Sequence, residues 1–398
     1  MINPSAHGWI DKFFSGQKSG KDIPTGSSEA FYREIRKTGF IYGHVVSFYT
    51  SQKIKTDGWL DEERSKLALL IILYRLYVEI REDDDIRKFI SETIAFYDEM
   101  NPKGFNLFKK VLPEDVPSYN LEKIIDERVQ TNDNIISKNF SHIVTNALLF
   151  VDVIAYQKYL EQGAIPDKYL KRAEEIIVSV VSLALQTKSR KSQYDKLLIK
   201  LFDTSLRYGK FADVTVQNPE SLQLGYFTDA LEKYYLLDLA GMAMWSDGVM
   251  ENEEAYFIHT IAGFLSIPEK IVDESIFQVN DFIVSYKKEI AYFNYSNPVK
   301  HFYDHMTESV IILIRRNKNR LVREIMQSGE LMKLLATSTT RDLDEKEKKK
   351  VRKQLLDVCK TIPSLTIFLL PGGSLLLPIL IKFIPQMLPS AFNENSEE

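Results

Sequence analysis

Residues 227–244 read Phe227-Thr228-Asp229-Ala230-Leu231-Glu232-Lys233-Tyr234-Tyr235-Leu236-Leu237-Asp238-Leu239-Ala240-Gly241-Met242-Ala243-Met244. Phe227, Leu231, Tyr234, Leu237, Gly241 and Met244 recur at steps of three or four, the period that stacks side chains along one face of an α-helix. Ile177, Val180, Val181 and Ala184 follow the same spacing, as do Leu67, Leu70, Ile71 and Tyr74. Alternating apolar and polar runs bounded by tight hairpin turns do not occur, so half-buried strands are not expected. The sequence predicts an all-α chain built from multi-helix bundle units.

Breaks between helical stretches fall where proline and polar residues gather, because proline lacks an N–H and clashes with the preceding turn. Gly16 to Ser28 is a Gly/Ser/Lys-rich loop. Leu112-Pro113-Glu114-Asp115-Val116-Pro117 and Asn218-Pro219-Glu220-Ser221 divide three helical stretches, and Asn297-Pro298 opens a further one. The expected units are 1–112, 118–217, 222–335 (with a basic extension) and 336–398.

At 398 residues, 44% hydrophobic and 27% charged, the composition is that of a globular protein with several helical units. Formal net charge is −4, but residues 299–390 are net basic and the rest net acidic. A basic region beside an apolar segment points to an anionic partner such as lipid headgroups or RNA, set against a plain solvated helical face. The single cysteine, Cys359, excludes an internal disulfide and a thiolate zinc site and fits a reducing cytosol. The N-terminus shows no basic and then apolar leader, so no secretory signal is expected, and it is too poor in arginine for a transit peptide.

An acidic turn occurs twice. Thr56-Asp57-Gly58-Trp59-Leu60-Asp61-Glu62-Glu63 precedes one apolar helix, and Ser246-Asp247-Gly248-Val249-Met250-Glu251-Asn252-Glu253-Glu254 another. Glycine accepts the left-handed conformation a turn needs. Carboxylates in a first helical turn cap N–H groups and oppose the helix dipole. Leu239-Ala240-Gly241-Met242-Ala243-Met244-Trp245-Ser246-Asp247-Gly248, with Glu253-Glu254, Phe257-Ile258 and Ile261, resembles the TerB-like helical domain over about 222–293. That resemblance implies a divalent cation at Asp247, Glu251, Glu253 and Glu254. The spacing is not that of an EF-hand, which places ligands at positions 1, 3 and 5 and glycine at 6. Otherwise no cofactor is expected.

Two other motifs fail on spacing. Gly16-Gln17-Lys18-Ser19-Gly20-Lys21-Asp22 has three residues where a phosphate-binding loop needs four, and an aspartate where a hydroxyl should hold magnesium. His301-Phe302-Tyr303-Asp304-His305 sets two imidazoles one turn apart, without the glutamate of a metalloprotease or a third ligand. No nucleophile-and-base grouping emerges, so the chain is not expected to be an enzyme.

The cations concentrate in two runs. One holds Arg315, Arg316, Lys318, Arg320 and Arg323; the other holds Lys348, Lys349, Lys350, Arg352 and Lys353. Each cation near an anionic bilayer adds roughly 1 kcal/mol. The second run leads into 362–388, a tract long enough to span a bilayer but interrupted by Pro371-Gly372-Gly373, Pro378 and Pro385, with Pro363 at its start and Lys382 as its one charge. Three arrangements compete for it: a kinked single pass or re-entrant hairpin, a segment lying in one leaflet, and a hairpin packed on the protein's own helices.

Lys349-Lys350-Val351-Arg352-Lys353-Gln354-Leu355-Leu356-Asp357, Thr361-Ile362-Pro363-Ser364-Leu365, Pro371-Gly372-Gly373-Ser374-Leu375-Leu376-Leu377-Pro378 and Phe383-Ile384-Pro385-Gln386-Met387-Leu388-Pro389-Ser390-Ala391-Phe392 resemble the membrane-proximal signature of the LETM family, the leucine zipper–EF-hand-containing transmembrane proteins. The arrangement is similar to bacterial LETM-related proteins named for biofilm association. In the family a ribosome-binding domain follows this signature; with Glu398 ending the chain, that domain is expected to be missing. Gly372-Gly373 also stands where the family has bulkier apolar residues. The resemblance implies a cytoplasmic body associated with the inner membrane through the C-terminus, acting as a non-enzymatic scaffold toward an unidentified protein partner. Ribosome association through the same cations is the alternative, and a part in cation transport with Lys382 in an apolar path comes last. DNA is not an expected partner.

Overall fold

Helix is the only regular secondary structure among the residues that the computed structural model describes: 2–16, 26–51, 53–100, 116–129, 148–187, 218–245, 252–289, 311–341 and 343–361. The all-α expectation holds, and the three periodic sets are the reason. Leu67, Leu70, Ile71 and Tyr74 are buried, and so are Ile177, Val180, Val181 and Ala184. Of the third set, Phe227, Leu231, Leu237 and Met244 are buried and Tyr234 lies at the edge.

The chain divides into two units. The first holds α1 (Trp9–Ser15), α2 (Ser28–Lys37), α3 (Asp61–Arg81), α4 (Ile86–Met100), α5 (Pro117–Val129), α6 (Phe150–Gln162), α7 (Tyr169–Thr187), α8 (Ala230–Met244), α9 (Asn252–Phe264) and α10 (Glu269–Tyr286). Two helices organise it. Helix α3 is buried without interruption from Leu67 to Tyr77 and packs on α5 and α6. Helix α8 is buried from Tyr235 to Gly241 and packs on α2, α7, α9 and α10. A helix that is apolar on all sides belongs at a core, with amphipathic helices around it. Gly241 is the close-approach point: a Cβ there would stand 3.4 Å from Val279 Cγ2 on α10.

Both acidic turns load a first helical turn as expected, with Asp61, Glu62 and Glu63 on α3 and Glu253 and Glu254 on α9. Gly58 takes the left-handed conformation at φ 74°. The structure adds a parallel between them: the second glutamate of each pair, Glu63 and Glu254, is fully buried. Pro117 opens α5 at the position where its missing N–H is not needed. Glu122 on α5 reaches the start of α1, accepting from Gly8 N–H at 3.0 Å and Ile10 N–H at 2.9 Å. That carboxylate satisfies donors which the helix itself leaves open.

Buried charge is organised in carboxylate-centred clusters. On α8, Asp238 accepts from Arg36 Nε at 2.8 Å and Nη2 at 3.0 Å. It also accepts from Tyr32 Oη at 2.9 Å, Tyr42 Oη at 3.3 Å and Ser275 Oγ at 2.5 Å. On α6, Asp152 takes both arms of Arg128 and the Tyr97 hydroxyl. A buried carboxylate persists only when its lone pairs are filled, and these are.

The second unit contains a helical segment at 311–316, then α11 (Lys318–Gln327), α12 (Gly329–Thr340) and α13 (Glu345–Thr361). Leu321 and Ile325, Leu331 and Leu335, and Val351, Leu355, Val358 and Cys359 bury the facing sides of the three helices. Pro363, Pro371, Gly372, Gly373, Pro378, Lys382 and Pro385 lie outside the described residues, as do His301 and His305. Among the described residues no helix is long and apolar enough to cross a membrane.

Candidate polyanion-binding face of the C-terminal unit

Helix α13 begins on a reciprocal cap. Asp344 Oδ1 accepts from Glu347 N–H at 2.8 Å, and Glu347 Oε2 accepts from Asp344 N–H at 2.9 Å. Each side chain satisfies the other's backbone donor. Arg341, just past α12, grips the same Glu347 with two bonds of 2.8 and 2.7 Å. The Arg341 guanidinium, together with the Asp344 N–H, holds the Glu347 carboxyl down to about 2. The α12 to α13 connection is thereby fixed at its polar side. A second tie lies further along: Glu330 on α12 accepts from Lys350 Nζ at 2.8 Å and Gln354 Nε2 at 2.7 Å.

With Val351, Leu355, Val358 and Cys359 turned inward, the helical period turns Lys346, Lys349, Lys350, Lys353 and Lys360 outward and leaves Arg352 on the flank of that face, and all six are exposed. Lys350 is held by Glu330, and Lys360 pairs with Asp357 at 2.7 Å. Lys346, Lys349 and Arg352 have no ion-pair partner among the described residues, and Lys353 makes no ion pair within 4 Å although its charge acts on Asp357 one turn along. From Lys346 to Lys360 the face runs about 21 Å at 1.5 Å per residue. It presents several cations in a row to whatever lies beside it.

The structure places the ten cations singled out from sequence in different settings. Lys349 and Lys353 belong to the open face and Arg352 to its flank. Lys348 is exposed as well and pairs with Glu345 at 3.0 Å. Arg320 donates from Nη2 to the Thr361 carbonyl at 2.5 Å, a cation on the last turn of α13 where helix carbonyls lack partners. Arg316 donates from Nη1 to the Gly58 carbonyl at 3.4 Å. Arg315, Lys318 and Arg323 are exposed along the 311–316 segment and α11. Sequence reasoning missed Lys360, and left Lys346, which opens the second basic run, out of the contact residues; the signal was their helical register with Lys349 and Lys353.

Of the residues considered for a divalent cation, Asp247 and Glu251 lie outside the described residues. Glu253 is exposed, whereas Glu254 is buried in α9. Among the described residues no group of three or more His, Cys, Asp or Glu side chains is placed to hold a metal ion.

Residues 343–398 match the family model described as LETM1-like, RBD. The matched stretch takes in all of α13 and carries the C-terminal signature expected from the sequence resemblance. The description falls on the signature itself, which corrects the expectation that this part of the family lies beyond the chain. No curated protein and no solved structure matches the chain.

Proposed function

We propose that the chain is a non-enzymatic, membrane-associated interaction protein, held at an anionic bilayer by the outer face of α13 and by the apolar tract that follows it. One observation carries this reading: Lys346, Lys349, Arg352 and Lys353 project together, with no ion pair within 4 Å among the described residues. The helix that bears them leads directly into 362–388, whose one charge is Lys382. Charge and apolar surface together anchor better than either alone, because roughly 1 kcal/mol per cation adds to the burial of hydrocarbon. The family's membrane association supports the same reading. The helical body is then the part that meets a protein partner on the cytoplasmic side of the inner membrane.

A second reading has its own support. The description of the matched family model, LETM1-like RBD, favours ribosome contact through the same cations, and a phosphate backbone is as good a polyanion as a headgroup layer. The deciding experiment gives the purified full chain a choice between vesicles rich in phosphatidylglycerol and salt-washed ribosomes. Flotation with the vesicles, and none with phosphatidylcholine alone, supports the membrane reading. Co-sedimentation with ribosomes in the presence of the vesicles replaces it with the ribosomal one.

A further inference from the structure

A cleft of about 420 Å³ opens beside α2 in the first unit, lined by side chains of α2, by Tyr49 and by Glu274 of α10. That volume lies in the range of small-molecule sites. The half-buried Tyr49 ring, backed edge to face at 5.9 Å by the buried Phe31, supplies an aromatic wall. Arg75 stacks on Tyr49 at 5.7 Å and steadies it.

The charges along the cleft fall into a fixed set and a loose set. Arg33 donates to Glu274 at 2.9 and 2.8 Å. Arg36 reaches the same Glu274 at 3.2 Å while holding the buried Asp238. These groups bind each other. The Lys37–Glu34 pair is different: its 2.5 Å contact joins side chains that are 65% and 43% exposed. Such a surface pair contributes little and separates readily. Lys37 and Glu34 sit one helical turn apart and present one charge of each sign to the cleft.

A ligand carrying one charge would pair with one of these side chains and strand the other beside it. A ligand carrying both exchanges a single exposed pair for two, with no change in net charge. We propose that the cleft binds a zwitterionic α-amino acid with an aromatic side chain, its carboxylate on Lys37, its ammonium on Glu34 and its ring against Tyr49. The site lies wholly in the first unit and is independent of the anionic face on α13.

The test titrates the full chain with phenylalanine, 3-phenylpropionate and phenethylamine by calorimetry and saturation-transfer NMR. Phenylalanine should bind, and each analogue lacking one charge should bind at least about tenfold more weakly. Glu34→Gln and Lys37→Gln should each weaken phenylalanine about tenfold and leave the far-UV spectrum unchanged, since both side chains face solvent. Absence of phenylalanine binding overturns the proposal. So does equal binding of the three compounds, or binding that neither substitution weakens.

Discussion

Arg36 and Asp238, 202 positions apart in sequence, meet in a two-point contact with both side chains almost wholly buried, at 4% and 1% exposure. The pair locks α2 against α8. Tyr32, Tyr42 and Ser275 fill the remaining lone pairs of the carboxylate. Burial, followed by the Asp238 charge, pushes the Tyr32 and Tyr42 hydroxyls well up, so both stay protonated as donors.

Removing one partner should therefore cost far more than an exposed ion pair is worth. Asp238→Ala leaves a buried guanidinium without its carboxylate, and the expected loss is about 3–5 kcal/mol. Urea denaturation of the full chain measures it. Lys37→Ala, on the exposed end of the same helix, should stay within about 0.5 kcal/mol.

Gly39 takes φ 76°, and a Cβ there would stand 2.1 Å from the His44 carbonyl oxygen. Gly39→Ala combines a strained left-handed backbone with a collision against main chain. A loss of more than about 1 kcal/mol is expected, whereas Gly58→Ala, left-handed at 74° but with nothing within 4 Å of the added carbon, should lose about 1 kcal/mol from backbone strain alone.

Glu347 supplies a pH handle on the second unit. Its carboxyl is depressed from 4.5 to about 2, first by the Arg341 side chain and then by the Asp344 N–H. A carboxyl lowered on folding adds stability that is fully present above its unfolded value and is lost as pH falls through the folded one. The cap should thus hold down to about pH 4.5 and fail on the way to about 2. An NMR titration of the Glu347 side chain reads the midpoint, which Arg341→Gln should move up toward the ordinary value. Asp344→Ala, which removes the other half of the cap, should cost about 0.5–2 kcal/mol.

Cys359 is buried between the helices of the second unit, and burial pushes its thiol up to about 12. The thiolate is the reactive form. Disulfide reagents at pH 8 should leave the native chain untouched and react once denaturant opens the unit; rapid labelling without denaturant would contradict the packing of α13 described above.

The helices were legible because apolar residues at steps of three and four leave a signal no tertiary contact can erase. Leu67 to Tyr74 and Ile177 to Ala184 sit in the core as that spacing requires. The left-handed Gly58 and the proline that opens α5 were legible for an equally local reason. Asp238 was not. It stands between Leu237 and Leu239, and period counting passes over one carboxylate in an apolar face without finding the arginine that neutralises it. The cations of the second unit show the same limit. Arg320 reads as another surface charge until the chain reverses and brings it to the Thr361 carbonyl. Lys360 fell outside the run and Lys346 stood at its first position, separated by Glu347 from the others, although helical register puts both on its face.

The central claim is that the outward face of α13 meets an anionic bilayer. Its most direct test is flotation of the full chain with phosphatidylglycerol vesicles, comparing the native sequence with a variant carrying Lys346→Gln, Lys349→Gln, Arg352→Gln and Lys353→Gln together. At roughly 1 kcal/mol per cation, partitioning should fall by about a thousandfold and the native chain should lose its binding as salt shortens the screening length. Undiminished flotation of the variant would contradict the account.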